Sequence, residues 1–581
     1  MLLRFDFVNR SGVVEPIRFA APRRVIVART IAEVAPAMAA VDASLRMGQC
    51  VAGFVAYEAA SGFDDALLTQ PPTNVPLVWF GVFDAPEPAP PLTDLAPAPT
   101  LTWTSAIGRE DYRRGIDAIR AAIADGDTYQ INYTFRQRTR LDPETLPALY
   151  ASLARAAQVP YGALLDTGDW HLLSLSPELF FRIDHGRLIT QPMKGTAARG
   201  RWREDDDTKA EALARSEKNR AENVMIVDLA RNDVTRVAEP GTVQATSLFH
   251  VDRYPSVLQM VSTVEADLRP GTTLSEIFRA LFPAGSITGA PKSSSMRLIA
   301  SLEHAPRGAY CGAIGFASPD GHAVFNVGIR TITASADGHA DYGVGGGITW
   351  DSEAGDEYAE AISKAACLVV RPDFDLLETL RIDDGVPIRL DGHLARMIDS
   401  AAFFGFVIDL DRIHAAITAE IRRHAAGRRR LRVRVSRTGA VSVESVKLAE
   451  PPAGRPVVEL ATSPVDRDDR FLFHKTSLRE VYAEHAAQHP EAFDVLLWNE
   501  AGELTEFTRG NLVVELDGAR VTPPRECGLL AGVLRNELLQ AGTIRERVLT
   551  KSDLGRATRV WFVNSLREWI PVEIAGDTLT A

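Results

Sequence analysis

The chain has 581 residues, 46% of them hydrophobic and 24% charged, with a formal net charge of −12. That length calls for two or three domains, and the balance is that of a soluble globular protein. The acidic surplus argues against nucleic acid or an anionic membrane as the main partner.

In chain order, the N-terminal MLLRFDFVNR lacks the apolar core of a signal peptide, and no apolar run of about 18 residues follows anywhere. Cys50–Tyr57 and Leu77–Phe83 are short apolar runs rich in β-formers and read as strands. The GQCVAG around Cys50 looks superficially like a nucleophile elbow, but no histidine precedes His171, so a buried strand cysteine is expected. The four cysteines, Cys50, Cys311, Cys367 and Cys527, form no CxxC pair and no metal spacing. They suit a reducing cytoplasm, which is the expected location. Asp84–Thr100 is proline-rich and reads as a surface linker.

Arg109–Asp125 has Tyr112, Ile116, Ile119 and Ile123 on one helical face, with Gly126 as a stop. Thr128–Arg140 alternates, with Tyr129, Ile131, Tyr133 and Phe135 pointing one way and Gln130, Asn132 and Thr134 the other. Thr190–Gly200 reads as a strand running into a loop with two glycines, which holds Lys194 between Met193 and Gly195. A lysine in a tight apolar turn is partly desolvated, which lowers its pKa and frees the amine as a nucleophile. Ser216–Asp233 reads as a helix carrying Glu222, and Glu357 and Glu360 share one face of a later helix with Lys364 one turn on. The chain crosses Pro372 and starts a new unit near Leu376. No internal repeat is visible.

Several segments recur in a telling order: SEKNRAENVMIVDLARNDVTRV from Ser216, FPAGSITGAPK from Phe282, YCGAIGF from Tyr310, FNVGIRT from Phe325, GVGGGITWDSE from Gly343 and EYAEAISKA from Glu357. With these, residues 105–370 resemble the chorismate-utilising enzymes. PMKGT around Lys194 resembles the aminodeoxychorismate synthases, since anthranilate synthases commonly carry alanine there. The resemblance implies Mg²⁺ held by Glu222 and Glu360 with Glu357 supporting, and Glu178 as general acid. Arg330 would bind a substrate carboxylate, with Tyr310, Thr196, Lys364 and the backbone of Gly345, Gly346 and Gly347 adding substrate contacts. Lys194 would attack ring carbon 2, so that ammonia, displacing it, enters at carbon 4. Gln130 stands near the place of a lysine base in relatives that add water, which disfavours hydration. Gln259 replaces a histidine of several relatives, which disfavours pyruvate loss in this unit.

From Leu376, the segments LLETLRIDDG, FLFHKTSLRE, ELTEFTRGNLVV, GLLAGVLRNELL and VWFVNSLREWIPV resemble the fold-type-IV pyridoxal-phosphate enzymes. That family includes branched-chain and D-amino-acid aminotransferases and 4-amino-4-deoxychorismate lyase. The resemblance implies that Lys475 forms the Schiff base and Glu506 pairs with the pyridine nitrogen. The start of a helix at Gly532, Val533 and Leu534 would take the phosphate, with Arg396 and Ser565. Stand-alone relatives carry roughly 35 residues before the ETLR-like strand. Here either neighbouring structure replaces that edge or the unit is weakened.

The expected fold is α+β throughout. Residues 1–370 would form a two-sheet chorismate-binding sandwich with outer helices, made of a 1–100 subregion and a 105–370 core. A linker at 371–375 would lead to a pyridoxal-phosphate domain at 376–581. The expected function is p-aminobenzoate synthesis from chorismate and ammonia. No Cys–His–Glu glutaminase arrangement surrounds any cysteine, so ammonia would come from solution or a separate glutamine amidotransferase subunit. A homodimer through the second domain is a further expectation. Rival readings are an anthranilate synthase with an unrelated tail, and a synthase whose tail is an aminotransferase or a catalytically silent interaction domain.

Overall fold

The computed structural model describes residues 1–575 except 10, 94, 369–371, 425, 451 and 453. The start of the expected 371–375 linker and the last residues of the expected second domain lie outside the described residues. The chain forms two compact units, one of Met1–Arg199 with Ala210–Arg371, the other of Gly200–Lys209 with Pro372–Ala581.

The first unit contains, among the described residues, two ten-stranded sheets whose pairings are antiparallel. Gln130–Arg140 and His339–Ile348 lie side by side in one sheet, Leu2–Val8 further along it. The other sheet carries Met193–Ala198 beside Val257–Asp267, with Leu179–Asp184 and Cys50–Val55 further in. Aromatic side chains from strands of both sheets form one cluster. Phe5, which is fully buried, meets Phe7, Phe19 and Phe316 with ring centroids 5.3–5.9 Å apart, largely edge-on. Such rings fill the space between sheets and add directional contacts. Two further cores lie under helices. Arg109–Ala124 buries Tyr112, Ile116 and Ile119 against Ile131, Tyr133 and Phe135 of the strand Gln130–Arg140. Helices Glu217–Thr235 and Leu274–Leu281 cover the second sheet through Val227, Val234, Ile277 and Phe278.

Cys50 is buried within its strand, as its apolar neighbours predict. Two expectations need correction. Tyr129 does not share the buried face of Ile131: the strand begins one residue later, and Tyr129 is 68% exposed. Lys194 is not in a loop. It lies on the strand Met193–Ala198, whose register shifts between Met193 and Thr196 around Gly195 at φ +101°. The glycine that suggested a loop produces a bulge instead.

The second unit has, among the described residues, a four-stranded sheet and an eight-stranded sheet. The strand Leu376–Asp383 alternates buried and half-buried residues, with Leu376, Glu378, Leu380 and Ile382 inward. Helix Leu390–Phe404 packs Leu394, Met397 and Ala401 on it. The larger sheet places Leu504–Phe507 and Gly510–Leu516 next to each other, and helix Val533–Gln540 packs Leu534 against Trp561 and Val563 of its strand Arg559–Asn564. No helix among the described residues is long and apolar enough to cross a membrane.

Phe5→Ala should cost about 3–5 kcal/mol of first-unit stability, since it empties a filled inter-sheet core. The denaturation midpoint of the full chain, followed by a probe in the first unit, measures it. An unchanged midpoint would show that the aromatic cluster does not hold the sheets.

Candidate active sites

Lys194 is the centre of the first site. Asn223 on helix Glu217–Thr235 donates to its carbonyl at 3.2 Å, and Ser262 Oγ donates to Asn223 Oδ1 at 2.6 Å. Gln259 accepts from Thr196 Oγ1 and donates to the Gly195 carbonyl, both at 2.9 Å. The Lys194 and Gly195 carbonyls are therefore held by a helix and the neighbouring strand. Its amine lies 3.8 Å from Glu222 Oε2. It also lies where a side chain on Gly347 would begin: a Cβ there would meet Lys194 Nζ at 2.2 Å and Gln130 Nε2 at 2.5 Å. A Cβ on Gly346 would meet Glu357 Oε2 at 3.1 Å and Lys364 Nζ at 3.6 Å. The glycine strand thus lies against the ends of two lysines and a carboxylate, and a side chain at Gly347 would displace the Lys194 amine. Burial lowers the Lys194 pKa, with Lys364 adding to the fall and Glu222, Glu357 and Glu360 opposing it.

Glu178 lies close by. Its carboxyl accepts from Ser286 Oγ at 2.5 Å and from the Met193 backbone N–H. It lines a small cavity with Pro192, Ile226, Ala230, Ser286 and Val327. Burial in these mostly apolar walls raises its pKa to about 7, against the opposing pull of Ser286, Met193 and Lys194. A carboxyl with that pKa holds a proton it can give up at neutral pH.

The carboxylates expected to hold a metal all act on Lys194, but they do not form a closed shell. Glu360 pairs with Lys364 at 2.9 Å, Glu357 accepts from Ser352 at 2.7 Å, and Lys364 also donates to the Gly345 carbonyl at 2.8 Å. Burial raises the Glu357 pKa. It also pushes Glu360 up, but Lys364, Lys194 and Lys218 together hold Glu360 below its ordinary value. Among the described residues, no three His, Cys, Asp or Glu side chains gather as a metal site. An oxygen-only donor set of one or two carboxylates fits Mg²⁺, which keeps water and substrate oxygens for its remaining positions.

The other expected contacts differ in placement. Arg330 is half-buried at φ +51°, and its guanidinium makes no ion pair or hydrogen bond among the described residues. Thr196 is exposed and engaged with Gln259. Tyr310 lies in the core, with its ring against Gly343 and under the Arg136 guanidinium at 5.0 Å. Gln130 is buried, and its Oε1 has no partner among the described residues.

The second site is built separately. Leu377 N–H donates to the Lys475 carbonyl at 2.9 Å, tying that lysine to the first strand of the unit. Burial lowers its pKa to about 7, helped by Arg479 and Arg396 and opposed by Glu378 and Glu506. Glu506 is buried and raised by burial to about 7. Its Oε1 accepts from Tyr482 Oη at 2.9 Å and Leu530 N at 3.0 Å, and its Oε2 accepts from Asn511 at 3.3 Å. Arg396 grips Glu378 with two 2.8 Å bonds and donates to the Ala531 carbonyl at 3.2 Å, beside the helix that starts at Val533. His393, one turn before Arg396, donates or accepts at Glu378 through Nδ1 at 2.6 Å, while its buried Nε2 has no partner among the described residues. Burial would raise the Glu378 pKa, but Arg396 and His393 overcome it and hold it at about 2. Ser565 is buried in the turn between Arg559–Asn564 and Glu568–Ile574. The residues fit pyridoxal phosphate: a low-pKa amine, a buried acid, an unpartnered buried imidazole nitrogen and an open helix start.

Ser286, Asn223, Glu378 and His393 were not among the expected site residues. Ser286 sits in the FPAGSITGAPK segment, and Glu378 could have been found from the alternation of its strand, which puts an acid on the apolar face.

The first unit has the fold of anthranilate synthase component I from Streptococcus pneumoniae TIGR4. That structure is 24% identical with a TM-score of 0.51, over 63% of this chain and 90% of that one. The chain belongs to the chorismate binding enzymes, whose family model matches residues 10–370; the class IV amino-transferase model matches residues 375–574. Aminodeoxychorismate synthase of Streptomyces griseus is 43% identical over 289 residues, 49% of this chain and 39% of that protein. Aminodeoxychorismate synthase component 1 of Klebsiella aerogenes is 42% identical over 265 residues, 46% of this chain and 58% of that protein. The chain therefore spans less than two thirds of the length of either relative.

Glu178→Gln tests the buried acid through stability. A folded pKa raised from 4.5 to about 7 means the native state binds more protons than the unfolded one between those values. Stability should fall as pH rises from about 4.5 to about 7, then level off. In Glu178→Gln the slope should become shallower by the share of this one group, leaving what Glu506 and Glu357 contribute, as read from denaturation midpoints across the range. An unchanged slope would place the titration elsewhere.

Proposed function

We propose that the first unit aminates chorismate to 4-amino-4-deoxychorismate, and that the second eliminates pyruvate from this product to give p-aminobenzoate. The observation that carries the proposal is Lys194, an enclosed amine of lowered pKa clamped beside an acid of raised pKa. The aminodeoxychorismate synthases among its relatives support the same reading.

Lys194 Nζ attacks ring carbon 2, and the double bond shifts as the carbon 4 hydroxyl leaves. Glu178 gives its proton to that oxygen, so water departs. Ammonia then attacks carbon 4 and the shift runs back, returning the electron pair to Lys194. Two displacements put nitrogen where the hydroxyl was. The unpaired Arg330 guanidinium suits a substrate carboxylate, for which its planar fork is matched. Glu222 and Glu360, with Glu357, would hold Mg²⁺, which neutralises substrate carboxylate charge when bound. Lys364 orients the strand through the Gly345 carbonyl and balances Glu360. Ammonia is supplied from solution or by a separate glutamine amidotransferase.

In the second unit Lys475 and Glu506 would hold pyridoxal phosphate, with Arg396, Ser565 and the helix start at Gly532, Val533 and Leu534 around its phosphate. When bound, it withdraws electrons from the attached substrate. Lys475, with a pKa of about 7, can then take up and pass on the proton whose loss aromatises the ring. Glu506 would pair with the cofactor's pyridine nitrogen and keep it protonated. Homodimer formation through this unit is part of the proposal.

Product analysis of the full chain with chorismate, ammonium, Mg²⁺ and pyridoxal phosphate tests the whole reading. The parent should release p-aminobenzoate and pyruvate. Lys475→Ala should accumulate 4-amino-4-deoxychorismate and release neither. Pyruvate at the parent rate from that variant would assign its loss to the first unit.

A further inference from the structure

A ten-residue segment, Gly200–Lys209, belongs to the second unit although it lies within the sequence of the chorismate-binding stretch. Trp202 is 9% exposed and shares a core with Val465, Leu472, Phe473 and Tyr482. Its ring lies 5.1 Å from that of Phe473, and the Arg525 guanidinium covers it at 4.7 Å. The turn is held locally. Gly200 N–H donates to Asp206 Oδ1 at 2.8 Å and Arg201 N–H to Asp205 Oδ2 at 2.7 Å. A Cβ on Gly200 would meet Asp206 N at 2.1 Å, so only glycine fits. Arg203 with Asp399 and Arg525 with Glu204 add ion pairs at the rim, which contribute little by themselves.

What this segment touches next matters more. The Arg201 carbonyl is 3.1 Å from His474 Nε2, and His474 Nδ1 is 2.9 Å from Ser400 Oγ. A carbonyl only accepts, so Nε2 carries the hydrogen, while Nδ1 and the Ser400 hydroxyl share the second bond. Phe403 stacks on the same ring at 4.5 Å, and Phe404 meets it edge-on at 4.7 Å. His474 precedes Lys475 in the chain, and Phe473, the Trp202 partner, precedes His474. One side of the Lys475 backbone is thus held by Leu377 N–H, the other through a ring and a stacked pair that end on Trp202 and Arg201.

We propose that Gly200–Trp202 is a positioning element of the second site, fixing His474 and Phe473 and through them the placement of Lys475. None of its side chains need touch substrate or cofactor. The proposal rests on the reading of Lys475 as the cofactor lysine. The amine faces Arg479 and Arg396 as like charges and Glu378 and Glu506 as opposite ones. Its low pKa comes first from enclosure, so loosening the backbone that carries it should let water in and raise that pKa.

The test uses the full chain with Trp202→Ala, Trp202→Phe and Trp202→Leu. Two quantities are read: affinity for pyridoxal phosphate by absorbance titration, and the pH midpoint for reductive methylation of Lys475, followed by mass spectrometry without cofactor. Trp202→Ala should weaken the affinity by about tenfold, the equivalent of one lost buried hydrogen bond. It should also move the Lys475 midpoint up from about 7 toward 10.5. Trp202→Phe should restore both. If Trp202→Ala unfolds the second unit, seen as lost protease protection, the decision rests on Trp202→Leu. That variant keeps an apolar side chain in the core but removes the ring that packs on Phe473, so an upward midpoint shift supports the proposal. Parent values of both quantities in a folded Trp202→Ala protein, or an unmoved midpoint in Trp202→Leu, overturn it. A midpoint that responds in a protein that binds no pyridoxal phosphate would keep the positioning role and refute the cofactor reading instead.

Discussion

The first unit depends on keeping an ammonium-forming side chain away from water without neutralising it by a close ion pair. Lys194 meets Glu222 at 3.8 Å, too long for a strong hydrogen bond, and its amine takes the volume that any side chain on Gly347 would need. Enclosure then outweighs attraction, and the pKa falls. The surrounding structure serves this balance. The aromatic layer around Phe5 fixes the two sheets, the Gly195 bulge turns the strand, and Asn223 and Gln259 grip the Lys194 and Gly195 carbonyls. A flexible lysine in the same pocket would swing to a carboxylate and return to its ordinary charge.

The same physics recurs in the second unit with different parts. Lys475 is enclosed and faced by two arginines, so its amine is poised near neutrality, while Glu506 is raised by burial on the same scale. Arg396 could have been a free phosphate ligand, but Glu378 takes the broad side of its fork. The arginine is thereby locked in orientation beside the helix start, at the expense of donors for a ligand. Buried charge pairs of this sort are weak sources of stability and strong sources of geometry.

Much of this was legible in the residues. The helix at Arg109, the strands at Cys50 and Leu77 and the swing from first to second unit near Leu376 follow from periodicity and from proline placement. Lys194, Glu178, Lys475 and Glu506 were singled out by motif, and burial shifts the pKa of each. What was not legible depends on contacts between residues far apart in sequence. Ser286 reaches Glu178 across 108 positions, and Arg201 reaches His474 across 273. The Gly195 bulge was read as a loop because a glycine pattern does not say which strand lies next to it. The question of what supports the shortened second unit has a partial answer in Gly200–Lys209, a segment whose local sequence looks like the charged start of a surface helix.

The most direct measurement of the central claim is peptide mapping by mass spectrometry after incubation with chorismate and Mg²⁺ in the absence of ammonia. Lys194 attack with loss of the hydroxyl as water should leave a covalent adduct on the peptide that contains Lys194. The adduct should be absent from Lys194→Ala and discharged when ammonium is added. An unmodified Lys194 peptide under conditions where ammonium supports full turnover, or an adduct that ammonium does not discharge, would contradict the account.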